Sequence, residues 1–401
     1  MPAAPSEYVY LDYAATAPLR ACAVEAMAPF LVPGPAGLAL GANANSLHGP
    51  GRAAFAALED ARGSLARDLH ARRPSEIVFT SGATEADNMA VLGIARAAAD
   101  ERRRRGAGAE PAHVIVSAVE HDAVLEPCRR LEAEGFRITR LAPNREGFVE
   151  VRALEDAIDG DTVLVSVQAA NSEVGSIQPV AELARVAHAS GALMHTDAVQ
   201  ALGKVRIDLE ELGVDAASFS AHKIGGPKGV GALYLKARTP FAAQMLGGGQ
   251  ESGRRSGTQN VAGAAGFAAA CREAVEEQEL EAARLRGLRD RLYGALAAFD
   301  AIEATVDVAR GSEDFLPNIV HVLAAALESE TLILRYDREG FGVSGGSACS
   351  SHSLEPSHVL RALGIEADRA HGALRISMGC NTAERDADAF IAATASVLNW
   401  T

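Results

Sequence analysis

Asp215-Ala-Ala-Ser-Phe-Ser-Ala-His-Lys-Ile-Gly-Gly-Pro-Lys-Gly-Val-Gly-Ala-Leu-Tyr-Leu235 sets Lys223 between two short apolar runs. Residues 216–219 and 230–235 read as buried strands, and the Gly/Pro-rich turn between them suits no packed element. A lysine placed directly after a strand of small residues points its amine into a cleft at the strand end. Loss of solvent there makes an ammonium shed its proton, and the free amine can act on an aldehyde. A solvated lysine in a β-hairpin is the plainer reading of the same turn. The flanking sequence decides between them.

Upstream, strand and helix patterns alternate. Residues 76–80, 113–119, 136–141, 162–168 and 192–196 have strand character, while 52–69, 123–134, 151–158 and 179–190 have helical spacing. Strands separated by helices of this length predict an α/β fold with a largely parallel sheet covered on both faces. Ligands in such sheets collect at the carboxyl ends of the strands. The residues at those ends are Ser81 to Thr84, Glu120 and His121, Asn171, Asp197 with Gln200, and Ser220 with His222 and Lys223.

Ser81-Gly-Ala-Thr84 joins a strand to a helix, so free backbone N–H groups and a hydroxyl form an anion site that Gly82 and Ala83 leave open. Glu85 and Asp87 would repel a phosphate and are expected on the far side of the first turn. A phosphate cradle, an imidazole, an amide, an acid and a lysine on one rim suit pyridoxal phosphate. Lys223 takes the aldehyde, the helix N-terminus takes the phosphate, and Asp197 keeps the ring nitrogen protonated. Taken singly, each has a plainer use: aspartate as a cap, histidine as a satisfied core residue, asparagine as a turn former. Their joint placement carries the reading.

Downstream, residues 244–260 form a glycine-rich loop with Arg254 and Arg255. It lacks the strand, helix and Gly-x-Gly-x-x-Gly spacing of a dinucleotide site. Residues 261–299 are helical with a break near 276–281, and the shift in pattern marks a domain boundary near 260. The last third mixes strands (318–323, 374–378) with helices (329–336, 383–398), as in a smaller α+β domain. Within it, Gly342-Val-Ser-Gly-Gly-Ser-Ala-Cys-Ser-Ser-His-Ser-Leu-Glu-Pro356 surrounds Cys349 with glycine and serine. An accessible thiol there is a candidate nucleophile. Cys22, Cys128, Cys271 and Cys380 lie in apolar or helical contexts and read as structural.

Composition sets outer bounds. The 401 residues carry 52 acidic and 38 basic side chains, a net charge of −14 that argues against a nucleic-acid partner. The four arginines 102–105 close a helical pattern and read as a solvated helix end. Five widely spaced cysteines without a Cys-x-x-Cys pair fit reduced thiols, with no metal site. Neither a signal-peptide pattern nor a membrane-length apolar run is expected, so the expected location is the cytoplasm.

These motifs resemble the pyridoxal-phosphate-dependent cysteine desulfurases, in particular the group I, NifS/IscS-like branch. The matching stretches are Tyr10-Leu-Asp-Tyr-Ala-Ala-Thr16, Ser81-Gly-Ala-Thr-Glu-Ala-Asp-Asn88, Glu120-His121, Asn171-Ser-Glu-Val-Gly175, Asp197-Ala-Val-Gln200, Ser220-Ala-His-Lys223, Arg255-Ser-Gly-Thr258, Ser347-Ala-Cys-Ser350 and Leu354-Glu-Pro-Ser-His-Val-Leu-Arg-Ala-Leu-Gly364. They run in family order along nearly the whole chain.

The resemblance implies a fold type I, aminotransferase class V homodimer. Its large domain would span 16–260, and its small domain 1–15 with 261–401, including the Cys349 loop at about 342–356. It also implies roles. Lys223 is the Schiff-base lysine, Asp197 the partner of the pyridine nitrogen, His121 the residue stacked on the ring, and Gln200 the contact to the phenolic oxygen. Ala83, Thr84, Ser220 and His222 hold the phosphate, and Thr258 reaches the phosphate of the other subunit. Arg375, in Leu374-Arg-Ile-Ser-Met378, grips the substrate carboxylate with Asn171 beside it.

The implied reaction turns L-cysteine into L-alanine and leaves sulfur on Cys349 as a persulfide for an acceptor or scaffold protein, as in iron-sulfur cluster assembly. Lys223 moves the Cα proton and His121 manages the thiol proton. Two departures stand out: Asn43-Ala44-Asn45 replaces an expected Asn-Pro, and the chain ends at Thr401 without the longer tail that housekeeping members use to dock a scaffold. A selenocysteine lyase or an aminotransferase is the alternative on the same fold. A catalytically idle sulfur relay is a third reading, against which an intact Lys223 and Asp197 argue.

Overall fold

The computed structural model describes residues 8–106, 110–325, 327–346 and 356–399. Twelve strands are present among them: β1 (Val9–Tyr10), β2 (Ile77–Thr80), β3 (His113–Ser117), β4 (Arg137–Leu141), β5 (Thr162–Ser166), β6 (Leu193–Asp197), β7 (Ala216–Ser220), β8 (Gly231–Leu235), β9 (Ile302–Ala304), β10 (Ile319–Ala324), β11 (Phe341–Gly342) and β12 (Ala373–Ser377). Seven form one sheet in the order β2-β8-β7-β6-β5-β3-β4. The run from β7 to β4 is parallel, and β8 alone runs against its neighbours β7 and β2.

Alternation along the strands builds two cores. Ile115, Ala217, Phe219, Ala232 and Tyr234 face one side with Leu58, Leu65, Leu183 and Phe267. Val114, Val116, Ala216, Leu233 and Leu235 face the other with Met89, Ile94 and Leu131. Helices therefore cover both faces, as the alternating pattern requires. The hairpin and the buried-cleft readings of the lysine turn are both met in part: β7 and β8 are an antiparallel pair, but every residue of both strands is buried.

The smaller unit holds the antiparallel sheet β12-β10-β9 and the parallel pair β1-β11. Its core gathers Leu11, Leu288, Leu292, Val320, Ile376 and Phe390. The boundary expected at 260 falls one helix later in packing. Helix Val261–Glu276, started by the Asn260 side chain on the Gly263 N–H at 2.9 Å, buries Ala264, Phe267 and Cys271 in the core of the large sheet. It packs on helices Ala21–Met27 and Gly49–Asp68. The break at Glu277 then leads to helix Gln278–Leu296, whose Leu285, Leu288 and Leu292 belong to the small core.

Candidate active site

A cavity of about 460 Å³ opens at the carboxyl ends of the large sheet, within the roughly 300–1,000 Å³ usual for small-molecule sites. Ser81, Gly82, Ala83, Thr84, His121, Asp197, Gln200, Ser220, His222, Lys223 and Arg375 line it, so most of the residues expected at strand ends meet there. Strand direction explains this. β2 is antiparallel to β8 and hence runs with β7, so its end at Thr80 lies on the same rim as Asp197 and Ser220.

The Lys223 Nζ donates to the carbonyl oxygens of Ala14 (2.6 Å) and Ala15 (2.8 Å). Those carbonyls come from the N-terminal Tyr10–Thr16 motif, which crosses from β1 onto the lysine turn, where Ala17 N–H also meets the His222 carbonyl. Gln200 Nε2 holds the Ala14 carbonyl too, at 3.0 Å, and its buried Oε1 has no partner. Asp197 is 8% exposed and takes the Val199 N–H on Oδ1 at 2.9 Å. Burial raises its proton affinity, while the Val199 N–H, His121 and Lys223 oppose the rise.

The strand, tight turn and helix expected around Ser81–Thr84 are present. Gly82 adopts φ +155° and ψ 177°, a region open in practice to glycine alone, and turns the chain into helix Ala83–Arg104. The first N–H groups of that helix lack intrahelical acceptors, an arrangement that favours a bound anion. Glu85 does turn aside. It accepts from Arg255 at 2.8 and 3.2 Å and from the Ser81 N–H, which hold its carboxyl below the usual range against the opposing effect of burial. Asp87 does not. It lines the cavity, 1% exposed, and burial together with the neighbouring Asp197 pushes its carboxyl well above the usual range, against a lowering contribution from Ser218. His222 is neutral: burial, then the lysines around it, push it down to about 4. Its Nδ1 meets Thr16 Oγ1 at 3.1 Å.

His121 caps helix Asp122–Ala133, its Nδ1 accepting from the Ala123 N–H at 3.1 Å. That bond assigns the proton of the neutral ring to Nε2. Arg375 lies on β12, the contribution of the smaller unit. It donates to the Ser172 carbonyl and to Asp12 Oδ1, both at 2.9 Å, while its buried Nε has no partner.

Two of the expected residues among those described stand apart from the cavity lining. Asn171 spends its amide on a turn, Oδ1 accepting from the Glu173 and Val174 N–H groups (both 2.9 Å) and Nδ2 donating to the Val119 carbonyl. Its neighbours Ala170 and Ser172 line the cavity instead. Thr258 is exposed on the glycine-rich loop. Arg62 anchors that loop by a two-pronged ion pair to Glu251 (2.6 and 3.0 Å), which also accepts the Phe79 N–H. Cys349 lies outside the described residues. Of the cysteines read as structural, Cys128 and Cys271 are buried, Cys22 is half-buried and Cys380 is exposed, because it follows β12 in the turn before helix Glu384–Leu398. The cavity also includes Thr16, Lys228 and the buried Asp87, whose roles no spacing in the sequence announces.

The residues present fit pyridoxal phosphate. An unprotonated lysine can take the aldehyde, and a protonated ring nitrogen would hold the buried Asp197 ionised against the effect of burial. The helix end with Ser220 and neutral His222 offers hydrogen-bond donors to the phosphate.

The family model of the class V aminotransferases matches residues 9–390. Proteins named cysteine desulfurase IscS are similar along nearly the whole length. The one from Dictyoglomus turgidum is 43% identical over 94% of this chain and 91% of its own. The one from Klebsiella pneumoniae is 44% identical over 95% and 90%. Among solved structures, a NifS-like protein aligns at TM-score 0.87 with 36% identity, covering 98% of this chain and all of the other. A structure described as SspA in complex with cysteine aligns at 0.76 with 32% identity, covering 92% and 98%. The fold and the site define a fold type I pyridoxal-phosphate enzyme, and the chain belongs to the class V aminotransferase family. Within that family its relatives are the cysteine desulfurases.

Proposed function

We propose that this protein is a cysteine desulfurase that converts L-cysteine to L-alanine and carries the released sulfur as a persulfide on Cys349. The observation that carries the reading is the meeting of Lys223, Asp197, His121, the Ser81–Thr84 cradle and Arg375 in one cavity. Pyridoxal phosphate, when bound, supplies an aldehyde for the substrate amine and a ring that stores an electron pair. Lys223 would hold the aldehyde until the substrate amine takes its place, and its Nζ would then move the Cα proton. Asp197 holds the ring nitrogen protonated. Arg375 orients the substrate carboxylate through the unpartnered Nε–H and the remaining hydrogens of its fork.

His121 offers the Nε2 proton to the substrate. To take up a thiol proton it must give up its cap on Ala123, since Nδ1 holds that N–H. The Cys349 thiolate attacks the substrate sulfur, an S–S bond forms, and the C–S bond breaks with its electron pair going to Cβ, which is then protonated. Cysteine plus thiol gives alanine plus persulfide, so no outside oxidant or reductant is needed.

The described residues on either side of the Cys349 segment tie to the cavity rim. Ser344 pairs with Arg375 through the backbone, Ser357 Oγ donates to Glu173 Oε2 at 2.7 Å, and His358 Nε2 meets the Glu120 carbonyl at 2.8 Å. Those attachments support a thiol that visits the cavity and then a sulfur acceptor or scaffold protein.

A homodimer is part of the same reading. Leu47 (90% exposed), Leu246 (82%) and Phe55 (52%) leave an apolar surface around the glycine-rich loop. Asn45 ties to that loop by a 2.8 Å bond to Gln259, and a second chain seated there would bring Thr258 toward the partner's phosphate cradle. Cys22, Cys128, Cys271 and Cys380, all free thiols, suit a reducing compartment such as the cytoplasm. The first test of the function is alanine and sulfide release from L-cysteine by the yellow, cofactor-loaded protein, with wild type compared against Lys223→Ala.

A further inference from the structure

The turn that carries Lys223 brings a second lysine to the same cavity. Lys228 and Gly229 are part of its lining, and Lys228 is exposed, with no ion pair among the described residues. The turn is closed by the Gly226 N–H on the Ala221 carbonyl at 2.9 Å and the Ala221 N–H on the Val230 carbonyl at 3.2 Å. It leaves through Gly229, at φ +77°, into β8.

The register of β8 fixes which end of the cavity this lysine serves. Its first residue, Gly231, is the partner of both Thr80 and Ser220. A Cβ on Gly231 would lie 2.8 Å from the Gly82 Cα and 2.6 Å from the Phe219 carbonyl oxygen. β8 therefore begins wedged between the Ser81–Thr84 turn and Ser220, the two sides of the phosphate cradle. Lys228 leads into that wedge. Its charge reaches His222, where it adds to burial and to Lys223 in pushing the imidazole down.

The cradle lacks a cation of its own. A phosphate monoester carries about −1.5 to −2 charges near pH 7. The helix N-terminus, Ser220 and neutral His222 offer it uncharged donors only. The other cations nearby have work elsewhere: Arg255 pairs with Glu85, Arg375 with Asp12, and the Lys223 Nζ donates to the Ala14 and Ala15 carbonyls. Asp87 and Asp197 add carboxyl groups to the same cavity. A lysine stem rooted in the lining can lay its ammonium across the opening while staying in contact with water.

We propose that Lys228 is a cofactor-binding residue: its ammonium closes over the phosphate group and supplies the positive charge that the cradle lacks. The proposal rests on the reading of the cavity as a pyridoxal phosphate site. It makes the charge of the phosphate, and not the ring, what position 228 recognises.

The test starts from cofactor-loaded wild type, Lys228→Met, Lys228→Gln and Lys228→Arg. Loss of the visible cofactor absorbance is followed during dialysis against phosphate-free buffer at low and at high ionic strength. The two neutral variants should lose cofactor about tenfold faster than wild type at low salt, the worth of one charged hydrogen bond. That ratio should shrink at high salt, because an exposed pair is screened. Lys228→Arg should retain cofactor as wild type does. In a second measurement the loaded proteins are held with a large excess of pyridoxal, which has the same ring and aldehyde but no phosphate, and the bound share of each compound is weighed. The neutral variants should shift that share about tenfold toward pyridoxal. Equal loss rates in wild type and both neutral variants overturn the proposal. An unshifted share of pyridoxal does so too, since it would mark a purely structural role. Neither measurement needs cysteine. The wild-type absorbance tests the cofactor site and the ratio of variant to wild type tests Lys228, so the two failures are distinguishable.

Discussion

For single residues, the chemistry depends on where each side chain's proton sits. Lys223→Ala should abolish both the absorbance of the covalently held cofactor and turnover while the protein stays folded. Borohydride capture of the cofactor on another residue would contradict that assignment. Arg375→Ala should raise KM for cysteine with little change in the cofactor spectrum, since a hydrogen bond to a charged partner is worth about 1.5–3 kcal/mol, on the order of 10- to 100-fold. An unchanged KM would put the substrate carboxylate elsewhere. Glu120 gives a pH test. It is fully buried, Oε1 takes the Gln168 N–H at 2.7 Å, Oε2 has no partner, and burial raises its carboxyl well above the usual range. A folded-state pKa above the unfolded one contributes stability that is complete at low pH and is lost as pH rises. The neutral Glu120→Gln should therefore gain stability relative to wild type above about pH 4.5, by at most about 1.4 kcal/mol per pH unit. Paired urea titrations at pH 5 and pH 8 that give the same difference would refute a protonated Glu120.

At the scale of elements, the attachments beside the Cys349 segment make the sharpest case. Ser357 both caps helix His358–Ala362 through the Val359 N–H and donates to Glu173. Ser357→Ala should cost about 1–2 kcal/mol of stability and lower turnover while leaving the cofactor absorbance intact. Wild-type turnover in that variant would mean the attachment is idle. The same elements show what a sequence reveals. Long periodic stretches such as helix Gly49–Asp68 and strands β3 and β5 are legible because burial on one or two faces writes itself into residue spacing. β9 and β11, with three and two residues, are too short to carry a period. Helix Val261–Glu276 is legible as a helix but not as a neighbour of the large sheet, because its run of alanines and glycines fits either core. Most of the rim could be read from the strand-end rule. Asn171 could not, since a turn and a ligand contact ask for the same side chain. Asp87 could not either, because only the folded packing decides that it is buried and that its proton affinity rises.

At the scale of the whole molecule, the large sheet supplies the cradle, the acid and the lysine, while the smaller unit supplies Arg375. The segment that follows β1 ties the two together through Asp12 and the carbonyls on Lys223. Sedimentation should give twice the mass of one chain, and charged substitutions at Leu47 and Leu246 should shift it toward the monomer and weaken cofactor retention through loss of Thr258 from the partner's site. A fully active monomer would remove the dimer from the account. Transfer of sulfur to Cys349 is reached directly by one measurement: alanine formation from L-cysteine by cofactor-loaded Cys349→Ser beside wild type, with the peptide containing Ser344 to His352 weighed after exposure to cysteine. Serine is a far weaker nucleophile near neutral pH. The variant should bind cofactor and make almost no alanine, and the wild-type peptide should gain one sulfur. Alanine at the wild-type rate from Cys349→Ser would contradict the account and leave a pyridoxal-phosphate enzyme of another reaction type.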